Sequence, residues 1–272
     1  MIHGARRVIR DPDLEPRGVR PAIDHRRQDA VEEPPPDSLA AARRDGQRVV
    51  VVHGGGTAIN SWLERAGVEP RFVRGLRVTD EAVLEIVVGV LAGAVNKRLV
   101  AELSALGAPA MGLSGADSLI LQARRYDPEL GFVGMIHRVN PYPIEELLGL
   151  GYVPVIAPIA IELEGTRQQL LNTNADTAAG EIAAALRARL LVFLTDVEGV
   201  LDGERHVLGH LTAGEAGELI ASGVASGGMI PKLESAVRAA GSGCATRIVN
   251  GRTAGALARV LAGDGGGTTV AS

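Results

Sequence analysis

Residues Val49–Asn60 read VVVVHGGGTAIN: four β-branched residues, a histidine, three glycines, then helix-forming residues. An unbroken β-branched run predicts a strand buried on both faces of a parallel sheet. The glycines that follow predict a tight turn, and Ala58–Ala66 reads as a helix. A strand, a glycine turn and a helix start offer backbone N–H groups and a positive dipole end to an anion. Because glycine has no Cβ, a ligand can come close to the backbone. His53–Gly56 therefore reads as a phosphate cradle, as the HGGG oxyanion hole of an esterase, or as a turn that holds nothing.

The esterase reading requires a G-x-S-x-G elbow downstream and a histidine near the C-terminus. The closest serine, Ser114 in GLSGA, lacks the final glycine, and no histidine follows His210. The phosphate reading fits better. Neither G-x-G-x-x-G nor G-x-x-x-x-G-K-[ST] occurs, which excludes a standard dinucleotide fold and a Walker loop.

From that turn the pattern extends in both directions. Ser38–Arg44 reads as the end of a helix stopped by Asp45-Gly46, and Thr79-Asp80-Glu81 caps a long helix reaching about Leu106. Strands are expected over Ala108–Leu113, Leu119–Ala123, Phe132–Val139 and Tyr152–Ala157. A helix over Ala175–Arg187 follows Asn172-Thr173-Asn174, and Leu190–Leu194 reads as a fully buried strand. Helices over Pro231–Ala240 and Ala254–Ala262 flank a strand at Thr246–Val249. The glycine-rich Gly263–Gly267 reads as a mobile or terminal loop. Strands alternating with helices predict an α/β fold with a mainly parallel sheet covered on both faces.

The 272 residues suffice for one large domain or two joined lobes. A net charge of −4 gives no reason to expect nucleic acid or an anionic membrane as a partner. The lone Cys244 excludes an internal disulfide and a Cys-rich metal site, which suits the cytoplasm. No apolar run is long enough for a membrane helix. Residues 1–37 differ from the rest: they hold six of the 14 prolines, dense charge and no sustained periodicity. Such a segment is expected to be disordered or loosely attached.

Four further stretches carry chemistry. GLRVTD (Gly75–Asp80) puts Arg77 just before a helix start, where a guanidinium suits a carboxylate or remains a surface cation. NTNAD (Asn172–Asp176) supplies helix caps or groups that orient a charged substrate. LTDVEGVL (Leu194–Leu201) runs from a buried strand into a turn, and ligands of open α/β sheets sit beyond the carboxyl ends of strands. That places Thr195 and Asp196 among the candidates. GGMIPK (Gly227–Lys232) joins a glycine turn, a proline at a helix start and one of only two lysines among 28 basic residues. A lysine in a chain that otherwise uses arginine points to a point-charge role on phosphate. The other, Lys97, lies mid-helix beside Arg98 and reads as a solvated surface residue.

In this order, HGGG, GLRVTD, GLSGAD (Gly112–Asp117), the Gly131–Asn140 segment, NTNAD, LTDVEGVL and GGMIPK resemble the amino-acid kinase superfamily, most closely its acetylglutamate kinases. The match runs from about residue 38 to 270. The resemblance implies a three-layer α/β/α sandwich, carbamate kinase-like, with a substrate lobe over 38–170 and a nucleotide lobe over 171–272. It implies phosphorylation of the side-chain carboxylate of N-acetylglutamate by ATP with Mg2+, and a homodimeric core unit. Gly54, Gly55 and Gly56 would meet the phosphoryl group and substrate, with Arg77, Asn172 and Asn174 binding the substrate. Thr195, Asp196, Val197, Gly199, Val200, Leu201, Gly227 and Gly228 would contact ATP. Lys232 would stabilise the transition state and Asp176 would orient it, while Mg2+ is held mainly by the ATP phosphates rather than by protein ligands.

The family's first strand ends in K-x-G-G, and nothing in residues 1–37 matches it. A donor of that kind is typically worth about 10²–10³ in rate. Residues 1–37 are accordingly expected to be a product of a shifted reading frame or wrong start rather than the family's own N-terminus. Gly255 and Val260 stand where arginine-inhibited members carry His and Glu, so weak or absent arginine feedback is expected. Two alternatives remain: a carrier-linked aminoadipate kinase of lysine biosynthesis, and a ligand-binding member without turnover.

Overall fold

The computed structural model describes residues 36–264 and 266–271, so the expectations for residues 1–35 lie outside it. Helix α1 (Pro36–Arg44) leads to β1 (Val51–Val52), and the glycine turn leads to α2 (Gly56–Arg65). A small hairpin, β2 (Phe72–Val73) and β3 (Leu76–Arg77), precedes one continuous helical run. That run comprises α3 (Glu81–Val88), a π-helical stretch Gly89–Val95 and α4 (Asn96–Ala105). Next come β4 (Ala110–Ser114), β5 (Leu121–Arg125), β6 (Gly134–Val139), α5 (Tyr142–Gly149), β7 (Val153–Ala157), β8 (Ile159–Glu164) and β9 (Arg167–Asn172). The remainder is α6 (Ala175–Ala185), β10 (Leu190–Thr195), β11 (His210–Thr212), α7 (Ala213–Ala221), α8 (Met229–Ala240), β12 (Ala245–Asn250), α9 (Ala256–Leu261) and β13 (Thr268–Ala271).

The chain is α/β with mainly parallel main sheets, as its alternation predicts. Strands β1, β7 and β4 form one parallel sheet, with Val51 and Gly112 both opposite Val155. Strands β10, β12, β13 and β11 form a second, in which β10 runs parallel to β12 and β13 antiparallel to it. A third sheet, β6-β5-β8-β9, is mostly antiparallel. Helix α6 packs across both β1 and β10, the edge strands of the two parallel sheets.

Edge position explains two departures from the sequence pattern. Only Val51 and Val52 of the Val49–Val52 run form ladder bonds, and Val49, Val50 and Val52 are half-buried. Leu190, Leu191, Val192 and Leu194, expected to be fully covered, are also half-buried. Among the described residues β1 and β10 each have a neighbour on one side only, so their apolar side chains lack a second flank.

The core forms beneath the helical run, where Leu63, Leu99 and Leu103 are fully enclosed against Val153 and Val155. Burying each such side chain contributes roughly 1.5–3 kcal/mol before entropy is counted. The described residues of 263–267 lie in no helix or strand, as expected of a loop, but the loop is not terminal. Beyond it β13 lies between β12 and β11, with Thr268 and Val270 wholly buried. The hairpin β8–β9, turning at Gly165, and helices α5 and α7 were not anticipated. Cys244 is buried, which pushes its thiol pKa up and leaves it unreactive. No helix among the described residues is long and apolar enough to cross a membrane.

Candidate functional site

The glycine loop leaves the carboxyl end of β1, held by the His53 N–H on the Ile156 carbonyl of β7 (3.3 Å). The N–H of Ile59 bonds the Gly55 carbonyl at 2.8 Å, which closes the first turn of α2. A side chain at Gly55 would sit 2.7 Å from a Leu91 methyl, so Leu91 on the π-helical stretch would have to shift to admit one. His53 itself is buried, its Nδ1 2.8 Å from the Gly54 carbonyl and its Nε2 3.2 Å from the Asn96 amide.

Arg77 lies on β3 and is nearly buried, its guanidinium 4.7 Å from the Phe72 ring centre. Its Nη2 donates to Asn60 Oδ1 on α2 at 2.7 Å, tying the hairpin to the helix that the glycine loop begins. Asp80 accepts from the Val83 N–H at 3.0 Å and caps α3, so GLRVTD positions an arginine and starts a helix at once.

Thr79, read from the sequence only as part of a helix cap, is fully buried and links this arginine to the NTNAD stretch. Its hydroxyl donates to the Arg77 carbonyl (2.9 Å) and accepts from the Asn172 amide (3.1 Å). Its own N–H and carbonyl bond Leu130 and Phe132, and an alanine Cβ at Gly131 would meet the Thr79 carbonyl at 2.4 Å. Thr79→Val removes both hydroxyl bonds while keeping the shape. We expect a loss of about 1–3 kcal/mol in urea unfolding, because the Asn172 amide loses a buried partner. Substrate KM should rise together with that loss.

The Thr173 hydroxyl donates to the Pro158 carbonyl at 2.7 Å, which places the NTNAD turn beside the carboxyl end of β7. Asn174 Oδ1 accepts from the Thr177 N–H at 2.9 Å and so caps α6. Two residues on, Asp176 Oδ2 meets Lys232 Nζ at 2.9 Å, with both side chains less than a quarter exposed. Asn172, Asn174 and Asp176 thus run from the arginine cluster to the lysine along a single segment.

Thr195 ends β10, its hydroxyl on Asp196 Oδ1 at 3.3 Å, and Val197 is exposed. The turn beyond is pinned by Thr268: the Val200 N–H donates to its hydroxyl at 2.8 Å, and a Cβ at Gly199 would lie 2.7 Å from the same atom. Leu201 bridges to Val207. Asn250, at the end of the neighbouring β12, donates to Glu198 at 2.7 Å. Gly227 has a left-handed φ of 54°, and neither it nor Gly228 has a neighbour that a Cβ would meet, so the turn before α8 is open. Asn60, Thr268 and Asn250 carried no sequence signal, and Thr79 only that of a helix cap, because each acts on a partner distant in the chain. A cavity of about 350 Å³ elsewhere, lined by His137, Arg138, Glu181 and Arg238, contains none of these candidates.

Burial lowers the His53 pKa; the Gly54 carbonyl opposes this, and Arg98 and Lys97 add to the lowering. The ring is neutral when folded, whereas the unfolded ring takes a proton below about 6.5. Below that pH the unfolded state binds more protons, so stability falls as pH drops toward the folded value. Urea midpoints from pH 7 to 5 should fall more steeply for the natural chain than for His53→Asn.

Residues 36–250 match the amino acid kinase family. The chain is 47% identical over 224 residues to the acetylglutamate kinase of Synechococcus sp. (strain WH7803), covering 80% of this chain and 75% of that protein. It is 48% identical over 207 residues to the acetylglutamate kinase of Methanopyrus kandleri, covering 72% and 83%. Among solved structures, the smu.665 protein of Streptococcus mutans superposes with a TM-score of 0.75 at 30% identity, over 90% of this chain and 93% of that one. Carbamate kinase from Giardia lamblia bound to AMP-PNP shares the fold at a TM-score of 0.60 and 17% identity, over 86% and 89% of the two chains.

Proposed function

The chain belongs to the amino acid kinase family, and from that premise we propose that it phosphorylates the side-chain carboxylate of N-acetyl-L-glutamate with ATP. The product is N-acetylglutamyl 5-phosphate, an intermediate of arginine biosynthesis. The likeness to acetylglutamate kinases over most of both chains carries this reading. A carboxylate oxygen attacks the γ-phosphorus, the bond to the β-phosphate oxygen breaks, and ADP leaves. Such a transfer depends on alignment and charge neutralisation rather than on a covalent protein intermediate.

Each group has a role that suits its surroundings. Arg77, held by Asn60, pairs with the substrate's α-carboxylate, and Asn172 and Asn174 line the same pocket. The N–H groups of Gly54–Gly56 receive the transferring phosphoryl group. An ammonium has three donors; Asp176 takes one from Lys232 and the Gly228 carbonyl takes a second at 3.4 Å, so one N–H remains for a phosphate oxygen. Thr195–Leu201 with Gly227 and Gly228 form the nucleotide side. The open backbone of Gly227 and Gly228 next to an ammonium suits a phosphate chain. Mg2+ carried on the ATP phosphates supplies further charge neutralisation. Residence in the cytoplasm and a homodimeric core unit belong to the same reading, as does the division into lobes at residue 170.

The deciding assay mixes ATP with acetylglutamate or with carrier-linked α-aminoadipate and measures ADP release. We expect release with acetylglutamate; release with the carrier substrate alone would overturn the assignment. Saturating free arginine should leave that rate unchanged, and strong inhibition would contradict the reading of Gly255 and Val260. A second reading, binding without turnover, is favoured by one observation. Of the sequence's two lysines, Lys97 has its ammonium on Asn96 Oδ1 and the Gly112 carbonyl, leaving Lys232 as the single lysine for the phosphoryl group. Calorimetric binding of both ligands without ADP release would establish it.

A further inference from the structure

We propose that His53 and Asn96, braced by Lys97, position the Gly55 N–H that receives the phosphoryl group. The inference rests on the phosphoryl-transfer reading above.

A carbonyl only accepts, so the 2.8 Å contact between His53 Nδ1 and the Gly54 oxygen requires the proton on Nδ1. The bare Nε2 then accepts from Asn96 Nδ2 at 3.2 Å. The same amide nitrogen donates to the Val155 carbonyl at 2.9 Å and shares the Leu113 carbonyl at 3.3 Å. Its oxygen accepts from Lys97 Nζ at 3.1 Å, and Lys97 also donates to the Gly112 carbonyl at 3.0 Å. Asn96 is therefore fixed in one orientation. It ties together the strands β4 and β7 and, through His53, the loop after β1.

The fold makes room for this network. Asn96 follows the π-helical stretch Gly89–Val95, and the wider turn brings a polar side chain into a run whose neighbours Val95 and Leu99 are core. Gly112 on β4 is bare because a Cβ there would lie 1.9 Å from Asn96 Oδ1 and 2.7 Å from Lys97 Nζ. Lys97 is exposed along its stem, as the sequence suggests, but its ammonium serves this network rather than only the solvent.

A peptide plane converts that brace into an aim. No peptide here is cis, and in a trans peptide the C=O of Gly54 and the N–H of Gly55 point in opposite directions. Holding the Gly54 oxygen on His53 turns the Gly55 N–H away from the imidazole, in a loop whose Gly55 is buried between half-exposed Gly54 and Gly56. Among the described residues no acceptor takes that N–H. His53 is a positioning residue, acting on the phosphoryl group only through this peptide.

Two variants separate the two ring nitrogens. His53→Asn keeps an amide at the Nδ1 position and can still bond Gly54. His53→Gln extends its amide to the Nε2 position, reaching Asn96 but losing Gly54. With 15N-labelled full chain and Mg2+·AMP-PNP as probe, the Gly55 amide resonance should move in the natural chain and in His53→Asn, and stay still in His53→Gln. Turnover should follow: His53→Gln loses roughly 10²-fold in kcat with little change in ATP KM, and His53→Asn, which keeps the Gly54 bond but loses the Asn96 brace, loses clearly less. The imidazole 15N spectrum of the natural chain should show Nδ1 protonated, and this check does not depend on how any variant folds. An Nε2–H tautomer, a still Gly55 resonance in the natural chain, or full kcat in His53→Gln each overturns the proposal. Absence of acetylglutamate phosphorylation by the natural chain would instead refute the function, while the tautomer and the AMP-PNP titration still decide this inference.

Discussion

Lys232→Ala should reduce kcat for acetylglutamate phosphorylation by about 10²–10³, the usual cost of removing one preorganised donor to a developing charge. Lys232 projects from the first turn of α8, and its ammonium is held 2.9 Å from Asp176 in the first turn of α6. The pairing keeps a flexible four-carbon side chain in one place, so the charge costs little to organise when the reaction begins. Lys232→Arg should restore little, because a planar guanidinium cannot reproduce a point charge held by one carboxylate oxygen. Asp176→Asn should cause a smaller fall, since the ammonium survives but loses its orienting anion. Because both side chains retain some solvent access, 17% and 23%, none of the three should lower the unfolding temperature greatly. Steady-state rates beside melting curves provide the check, and an unchanged kcat in Lys232→Ala would remove this lysine from the chemistry.

The largest effect on stability should come from Gly267→Ala, far from any charged group. Gly267 has a φ of 72°, and a Cβ there would lie 2.1 Å from the Ile248 carbonyl and 2.7 Å from a Val249 methyl. The obstacle is backbone of a central strand, which cannot swing aside as a side chain can. Left-handed backbone costs an L-residue about 1–2 kcal/mol, and overpacking adds about 1–3 kcal/mol. For a chain of this size, at about 2 °C per kcal/mol, the sum of about 2–5 kcal/mol corresponds to a fall of roughly 4–10 °C in melting temperature. The shift also displaces Thr268, whose hydroxyl holds the Val200 N–H in the expected nucleotide turn. ATP KM should therefore rise even at temperatures where the variant is folded. Gly266→Ala is the control for a neighbouring glycine with a left-handed φ and open space around it. Equal melting temperatures for Gly267→Ala and the natural chain would refute the argument.

Much of the fold was legible because its signals are local. The β-branched run before HGGG, the Thr79-Asp80-Glu81 cap and the glycine-proline start of α8 each fix backbone conformation within a few residues. The long helix was expected as one element and is one, but with a π-helical stretch that no 3.6-residue periodicity announces. Strand β10 has the composition of a buried central strand yet is half-covered, because burial depends on a neighbour strand rather than on its own residues. The tail was legible only as a loop, and the strand after it was not, for a related reason. Glycine-rich sequence usually means a loop, but here Gly267 is required by a close approach to β12 and leads into a buried strand.

Legible in the sequence were the α/β alternation, the glycine turn between strand and helix, and the residue types of the proposed phosphoryl-transfer centre. These follow from period, composition and helix-end chemistry, which act over short stretches of chain. The tertiary structure alone decided which residues hold that centre in place: Thr79 joining Arg77 to Asn172, Asp176 meeting Lys232, Thr268 pinning Val200, and Asn96 gripping His53. Each is a hydrogen bond between residues 43 to 93 positions apart. A bond of that kind forms only after distant elements pack, so neither partner carries a local mark of it.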